Sequence, residues 1–303
     1  MTRSLCTLSS VLLVTALGIT ACGGGGGSGS GTGRITIAVT DAAIDGAAHV
    51  VVRFTGVELQ PAGGDRLSFV FDTPRNIDLL TLQGNASEPL LDQVEVPAGD
   101  YNWIRLMVEA RRGVLDSYIE FADTTQASLF IPSGEQHGLQ LSSGFTVAQG
   151  GLADFVIDFD LRKSVHEPQN GDEDYYLRPS LRLLDRLEVG SLSGTVSEDL
   201  ITDPSCTNGP NHDVGNAVYV YQGSGIVPDD VGSPTEPLTS ALVHYDETSD
   251  TYVYNLGFVA AGDYTIAFTC QAADDDPAID DDIAFTGAAD VSVAVDQDTG
   301  HDF

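Results

Sequence analysis

Lysine is almost missing from this 303-residue sequence: Lys163 is the only one, and arginine supplies the rest of the 13 basic residues against 45 acidic ones. From Leu187 to Phe303 there is no basic residue at all, while 22 acidic ones fall there. With a formal net charge of −32, the chain lacks the basic footprint that phosphate backbones require, and this excludes nucleic acid as a partner. Helical periodicity is also scarce, and "NIDLLTLQG" (Asn76 to Gly84) is the best short helical candidate. No apolar run reaches the length of a membrane-spanning helix; the longest, Leu5 to Ile19, is too short. Catalytic signatures are missing too: no G-x-S-x-G elbow, no H-E-x-x-H helix, no Walker-type loop. The histidines are scattered at His49, His137, His166, His212, His244 and His301. The adjacent pairs His212–Asp213 and His301–Asp302 would point to opposite sides of a strand. Catalysis is not expected from this pattern.

The N-terminus carries the clearest processing signal. Arg3 precedes the apolar run, which ends in Ile19-Thr20-Ala21-Cys22. This stretch resembles the bacterial lipobox. The resemblance implies cleavage after residue 21, lipidation of Cys22, and palmitate-type acyl chains that hold the protein on a membrane. Gly23 at mature position two implies the outer membrane by the same resemblance. "GGGGGSGSGTG" (Gly23 to Gly33) contains a formal G-x-G-x-x-G, but no strand precedes it and no helix follows, so it reads as a flexible tether.

Cys6 leaves with the signal, which leaves Cys206 and Cys270. An exported chain with two spare cysteines is expected to pair them as a disulfide; two free thiols are the alternative. The spacing offers no metal-site pattern such as C-x-x-C.

Beyond the tether, alternation with period two dominates. "RITIAV" puts Ile35, Ile37 and Val39 on one face. "FVIDFDLR" places Phe155, Ile157, Phe159 and Leu161 inward, with Asp158, Asp160 and Arg162 outward. "TYVYNLGF" and "DVSVAV" repeat the pattern in the second half. A phrase is also written twice: "VPAGDYNWIRL" from Val96 and "VAAGDYTIAFT" from Val259. In each, the glycine suits a tight turn and the tyrosine opens a strand, with its hydroxyl returning to a nearby backbone group as in a tyrosine corner. Together with the step in charge near Val189–Gly190, this predicts an all-β chain of two antiparallel sandwich domains, immunoglobulin-like or prealbumin-like. The organisation expected is a signal peptide at 1–21, a tether at 22–33, a first sandwich at 34–188 and a second, acidic one at 189–303.

The first of these segments is similar to a known family. "ITIAVTDAAID", "HVVVRFTGVEL", "NIDLLTLQGN", "VPAGDYNWIRLMV" and "LRPSLRLL" occur in the order seen in bacterial lipoproteins carrying domain of unknown function 4382, over residues of about 34–186. The resemblance implies an exported, usually lipid-anchored β domain without an assigned activity. The second half loosely resembles transthyretin-like or carboxypeptidase-regulatory-like sandwiches through "GSLSGTVSED" and "LGFVAAGDYTIAF".

Two features carry candidate chemistry. "ADDDPAIDDDIAF" packs Asp274, Asp275, Asp276, Asp280, Asp281 and Asp282 into nine residues, a candidate Ca²⁺ ligand set whose ordinary alternative is a solvated acidic loop. Tyr219, Tyr221, Tyr245, Tyr252 and Tyr254, with Tyr175 and Tyr176, form an aromatic set suited to sugar rings if exposed, or to a half-buried sheet face. The functional expectation is a lipid-anchored envelope protein with a binding, adhesion or structural role. Its partners would be the membrane, through Cys22, and a surface polysaccharide or an envelope protein. Ca²⁺-assisted carbohydrate binding is the alternative, and an envelope hydrolase the second alternative.

Overall fold

Hydrophobic alternation predicts strands, and strands are what form. The computed structural model describes residues 31–303 except 43, 133–137, 169–172, 179, 210–211 and 213. Cys22, the signal peptide, most of the tether, His137 and Asp213 lie outside the described residues. No helix among the described residues is long and apolar enough to cross a membrane.

The first half is built from two sheets. One has the strand order Leu181–Asp185, Leu152–Asp160, Thr32–Ala42, Glu88–Pro97. The other is centred on the long strands Ala47–Pro61 and Gly99–Glu109 and reaches out to Val165–His166. Ile35, Ile37 and Val39 from the first meet Val52, Phe54 and Leu59 from the second, all without solvent exposure. Phe54 and Phe159 close this core edge to face, with ring centroids 6.1 Å apart.

Two further sheets form the second half. Val189–Val196 lies between Thr251–Ala260 and Asp298–Gly300 in one. Ala217–Gln222 lies between Thr239–Leu242 and Gly262–Thr269 in the other. Leu192, Val218, Val220, Leu256, Ile266 and Phe268 fill the space between them. The sheets are mostly but not purely antiparallel. Thr32–Ala42 runs parallel to Leu152–Asp160, and Val189–Val196 runs parallel to the short strand Asp298–Gly300.

The repeated phrase does the same work in both halves. The Tyr101 hydroxyl donates to the Pro97 carbonyl at 2.8 Å, and Tyr264 donates to the Ala260 carbonyl at 2.7 Å. Both rings are buried. The copies differ at the glycine. Gly99 takes φ +138°, whereas Gly262 keeps an ordinary backbone, so only the first copy needs glycine for its conformation. The short helical candidate folds as a single 3-10 turn, Leu79–Leu82, capped by Asp78.

One expectation fails in an informative way. Phe155, Ile157, Phe159 and Leu161 do face the core, but Asp158, Asp160 and Arg162 are also buried, between 2% and 4% exposed. Alternation told which face each residue takes, and the second half covers the face that alternation assigned to water. An apolar patch of Ala38, Val156, Val189 and Phe258 seals one end of that contact. The two halves thus share a buried polar layer within one compact unit, Gly31–Phe303.

Candidate functional site

The buried layer begins where the strand Leu152–Asp160 ends. Asp160 caps the one-turn helix Leu161–Ser164, its Oδ1 accepting the Lys163 N–H at 3.2 Å. That turn directs Arg162 into the second half. Its Nη2 donates to Asp45 Oδ2 at 2.6 Å, its Nη1 to the Ala272 carbonyl at 2.5 Å, and its Nε to Ser240 Oγ at 3.2 Å. The guanidinium also lies over the Tyr219 ring, 5.4 Å from its centroid. Asp45 is held from its other oxygen by the Gly215 N–H at 2.8 Å. Beside this hub, Lys163 donates to the Pro237 carbonyl at 2.5 Å, so the only lysine also bridges the halves. Burial opposes the charge on Arg162, but Tyr219 and the carboxylate of Asp45 outweigh it and raise the pKa.

Arg162 forms part of the floor of a cleft of about 530 Å³ at this junction. Ile44, Ile119, Phe121 and Val165 give it apolar walls, and Tyr175 stands at its side with its ring 5.6 Å from that of Phe121. Asp45, Glu167 and the run Asp274 to Asp276 supply the opposite charge. An apolar pocket with a few convergent polar groups has the form of a small-ligand or side-chain site.

Of the seven tyrosines read as either exposed handles or half-buried sheet residues, three are buried, Tyr175, Tyr176 and Tyr252 are half-buried, and one is exposed. Tyr219, Tyr221 and Tyr254 are at most 2% exposed, and only Tyr245 is open, at 47%. The reason is a second cover. Tyr219 and Tyr221 point away from the core, and the segments 223–238 and 270–285 fold over them. Phe285 meets both rings edge on, at 5.2 and 6.3 Å. The Tyr219 hydroxyl donates to Asp275 Oδ2, and that of Tyr221 to the Asp229 carbonyl.

This cover separates the six aspartates. Asp274, Asp276, Asp280 and Asp282 face solvent, while Asp275 is buried and Asp281 half-buried. Asp275 and Asp281 meet a partner that the sequence reading missed, Asp230, with one carboxylate oxygen of each within 4.8 Å of the others. Asp280 approaches Asp229 and Asp230 in the same way. Burial raises the pKa of Asp275 to about 6, and desolvation also raises that of Asp230. The two cysteines meet as expected, in a Cys206–Cys270 disulfide with Cα atoms 5.2 Å apart.

The first half now has both its fold and its sequence landmarks in view. Residues 32–179 match the family model for the domain of unknown function DUF4382. The match covers the strands from Thr32–Ala42 to Tyr175–Leu177, and so includes Asp45, Arg162 and most of the cleft walls. The acidic cover lies outside that domain. No curated protein matches the chain. Among solved structures, the chain aligns with the TIE protein of Bacillus anthracis at 10% identity and TM-score 0.19, covering 90% of this chain and 34% of that one. The chain therefore spans about a third of that protein's length. A minor pilin of Streptococcus agalactiae aligns at 10% identity and TM-score 0.20, covering 88% and 94%. A fimbrial protein of Bacteroides ovatus aligns at 10% identity and TM-score 0.19, covering 90% and 48%. Alignments this loose carry nothing about role, and the site is read from its own residues.

The buried acid at the helix cap gives a pH prediction. Desolvation, partly offset by Lys163 and reinforced by Asp158, raises Asp160 from 3.8 to about 6. The folded state therefore holds this proton more tightly than the unfolded chain. The stabilisation is full below pH 3.8 and is lost as pH rises through about 6. The shift corresponds to about 3 kcal/mol. Asp160→Asn keeps the cap and removes the buried charge. Urea unfolding is expected to find the variant more stable than the native protein at pH 7, with the gap closing by pH 4. A gap that stays constant across that range would show that Asp160 does not titrate on folding.

Proposed function

We propose that this is an exported, lipid-anchored envelope protein that works by binding, in an adhesive or structural role, and not by catalysis. The observation that carries the reading is the junction cleft. Among the described residues its lining contains no Ser, Thr, Cys, His or Lys, so no serine- or cysteine-type nucleophile and no imidazole or amine base stands in it. Its one cation, Arg162, is engaged by three acceptors and serves as a fixed floor. What remains is apolar wall, two aromatic rings and carboxylates, a set suited to holding a ligand. Phe121 and Tyr175 suit the flat face of a sugar ring, and carboxylates suit its hydroxyls, so a surface polysaccharide is the partner favoured. The lipobox-like Ile19–Cys22 and the disulfide both fit an exported chain. The anchor at Cys22 and an outer-membrane address complete the reading.

The test has two arms. Native protein is expected to incorporate labelled palmitate and to fractionate with the outer membrane, and Cys22→Ala to do neither; unchanged fractionation of the variant rejects the anchor. Native protein is also expected to co-sediment with purified envelope polysaccharide, with Tyr175→Ala reducing the bound fraction several-fold. Equal sedimentation of the two proteins removes the cleft from the account.

A further inference from the structure

The two segments that cover Tyr219 and Tyr221 meet at three carboxylates. Asp230 comes from the segment after the strand Ala217–Gln222, and Asp275 and Asp281 come from the segment after Gly262–Thr269. One oxygen of each lies within 4.8 Å of the other two. Three carboxylates so close repel one another, and two of them are out of water: Asp230 is fully buried and Asp275 is 9% exposed. Protein donors satisfy only one side of these two groups. Asp230 Oδ2 accepts the Asp281 N–H at 2.8 Å, and Asp275 Oδ2 accepts the Tyr219 hydroxyl and, at 3.4 Å, the Val231 N–H. The Oδ1 of Asp230 and the Oδ1 of Asp275 are both buried and have no hydrogen-bond partner among the described residues. Buried acceptors left without a donor are costly and rare. No side-chain ammonium or guanidinium from the second half can serve them, because the chain has none after Arg186. Arg162 is already held by Asp45, Ala272 and Ser240.

We propose that Asp230, Asp275 and Asp281 bind one Ca²⁺ ion, which pins the two covering segments to each other over the Tyr219–Tyr221 face. The donors are all carboxylate oxygens, which favours a hard cation over Zn²⁺ or Cu²⁺. Ca²⁺ takes oxygens in variable number and geometry, so three carboxylates with water on the solvent side can satisfy it. Asp281, half-buried, provides that open side. Asp229 and Asp280 form an overlapping trio with Asp230 and add negative potential at the mouth. Desolvation raises the pKa of both Asp230 and Asp275, and Arg162 only partly offsets it at Asp275. The inference does not depend on the cleft having a ligand, and Ca²⁺ binding is measured with no other ligand present.

The decisive experiment is calorimetric titration of CaCl₂ into the full protein after chelation. The expected result is one Ca²⁺ per chain and a higher melting temperature in its presence. Asp281→Asn is expected to weaken binding by about tenfold or more, a loss as large as removal of an outer-sphere group typically causes. Asp230→Asn is expected to abolish it. Asp230 is fully buried, so if that variant fails to fold, Asp281→Asn, at a half-buried position, decides. Asp274→Asn with Asp282→Asn, both exposed and outside the trio, is expected to leave binding unchanged. No heat and no thermal shift with native protein overturns the proposal. So does an Asp281→Asn variant that binds as well as native, or a control pair that loses binding as fully as Asp281→Asn.

Discussion

Arg162→Met is expected to remove about 3–5 kcal/mol of stability, the cost of breaking a buried ion pair from one side. Arg162 is 4% exposed, and its three donors reach Asp45, the Ala272 carbonyl and Ser240. Methionine fills much of the volume and satisfies none of these acceptors. Asp45 keeps only the Gly215 N–H, with its side chain 9% exposed. Lysine is no remedy: one ammonium on a flexible stem cannot span three acceptors set around a planar fork. Removing both charges should cost less than removing one, so Asp45→Asn combined with Arg162→Met is expected to be more stable than Arg162→Met alone. Urea midpoints with unchanged slopes provide the measurement. A loss under about 1 kcal/mol for the single variant would mean that water already shares the site.

This residue also marks the limit of what the sequence revealed. Period-two alternation correctly assigned Ile35, Ile37 and Val39 to the core and set Asp158 and Asp160 on the opposite face of their strand, but Arg162, expected outward on that strand, is buried on the one-turn helix that follows it. Alternation carries no information about what lies over that opposite face. A strand with one wet side and a strand whose polar side is covered by another domain's loops have the same pattern until the cover is known. The tyrosine corners were legible because they are local: donor and acceptor are four residues apart in both copies. The disulfide was legible because Cys206 and Cys270 are the two cysteines of the sequence after the expected anchor position, Cys22.

The acidic trio shows the converse. Asp275 and Asp281 sat inside a run that drew attention by its density, but Asp230 lies more than forty residues earlier in an ordinary loop. No local rule joins them. One signal was available: "AVYVYQ" has no polar residue before Gln222 on either alternation face, and such a strand is buried on both sides. Both faces of that strand therefore needed a cover, and the segments around it, 223–238 and 270–285, were the material at hand. Density of charge pointed to the loop, whereas burial and an unpartnered oxygen point to particular residues within it.

Cys206→Ser with Cys270→Ser is expected to lower stability by about 4 kcal/mol, because the bond closes a loop of roughly 65 residues in the unfolded chain. The separation in sequence is 64. Both cysteines are replaced together so that no lone thiol is left. The folded state should tolerate the change, since the loop around Cys206 has other ties. Asn208 is 2% exposed, and its Nδ2 donates to the Ile201 carbonyl at 2.6 Å and to Asn216 Oδ1 at 3.0 Å. The loss therefore resides mainly in a freer unfolded chain, and the slope of urea unfolding should rise as that chain exposes more surface. Where the loss appears is as informative as its size. The disulfide belongs wholly to the second half, but Arg162 and Lys163 of the first half end on Ala272, Ser240 and Pro237 of the second. If that buried layer couples the halves, one transition should shift as a whole, and fluorescence of Trp103, in the first half, should report the same midpoint as far-ultraviolet dichroism. Two separated transitions, with Trp103 insensitive to loss of the bond, would show that the halves unfold independently despite their shared polar layer.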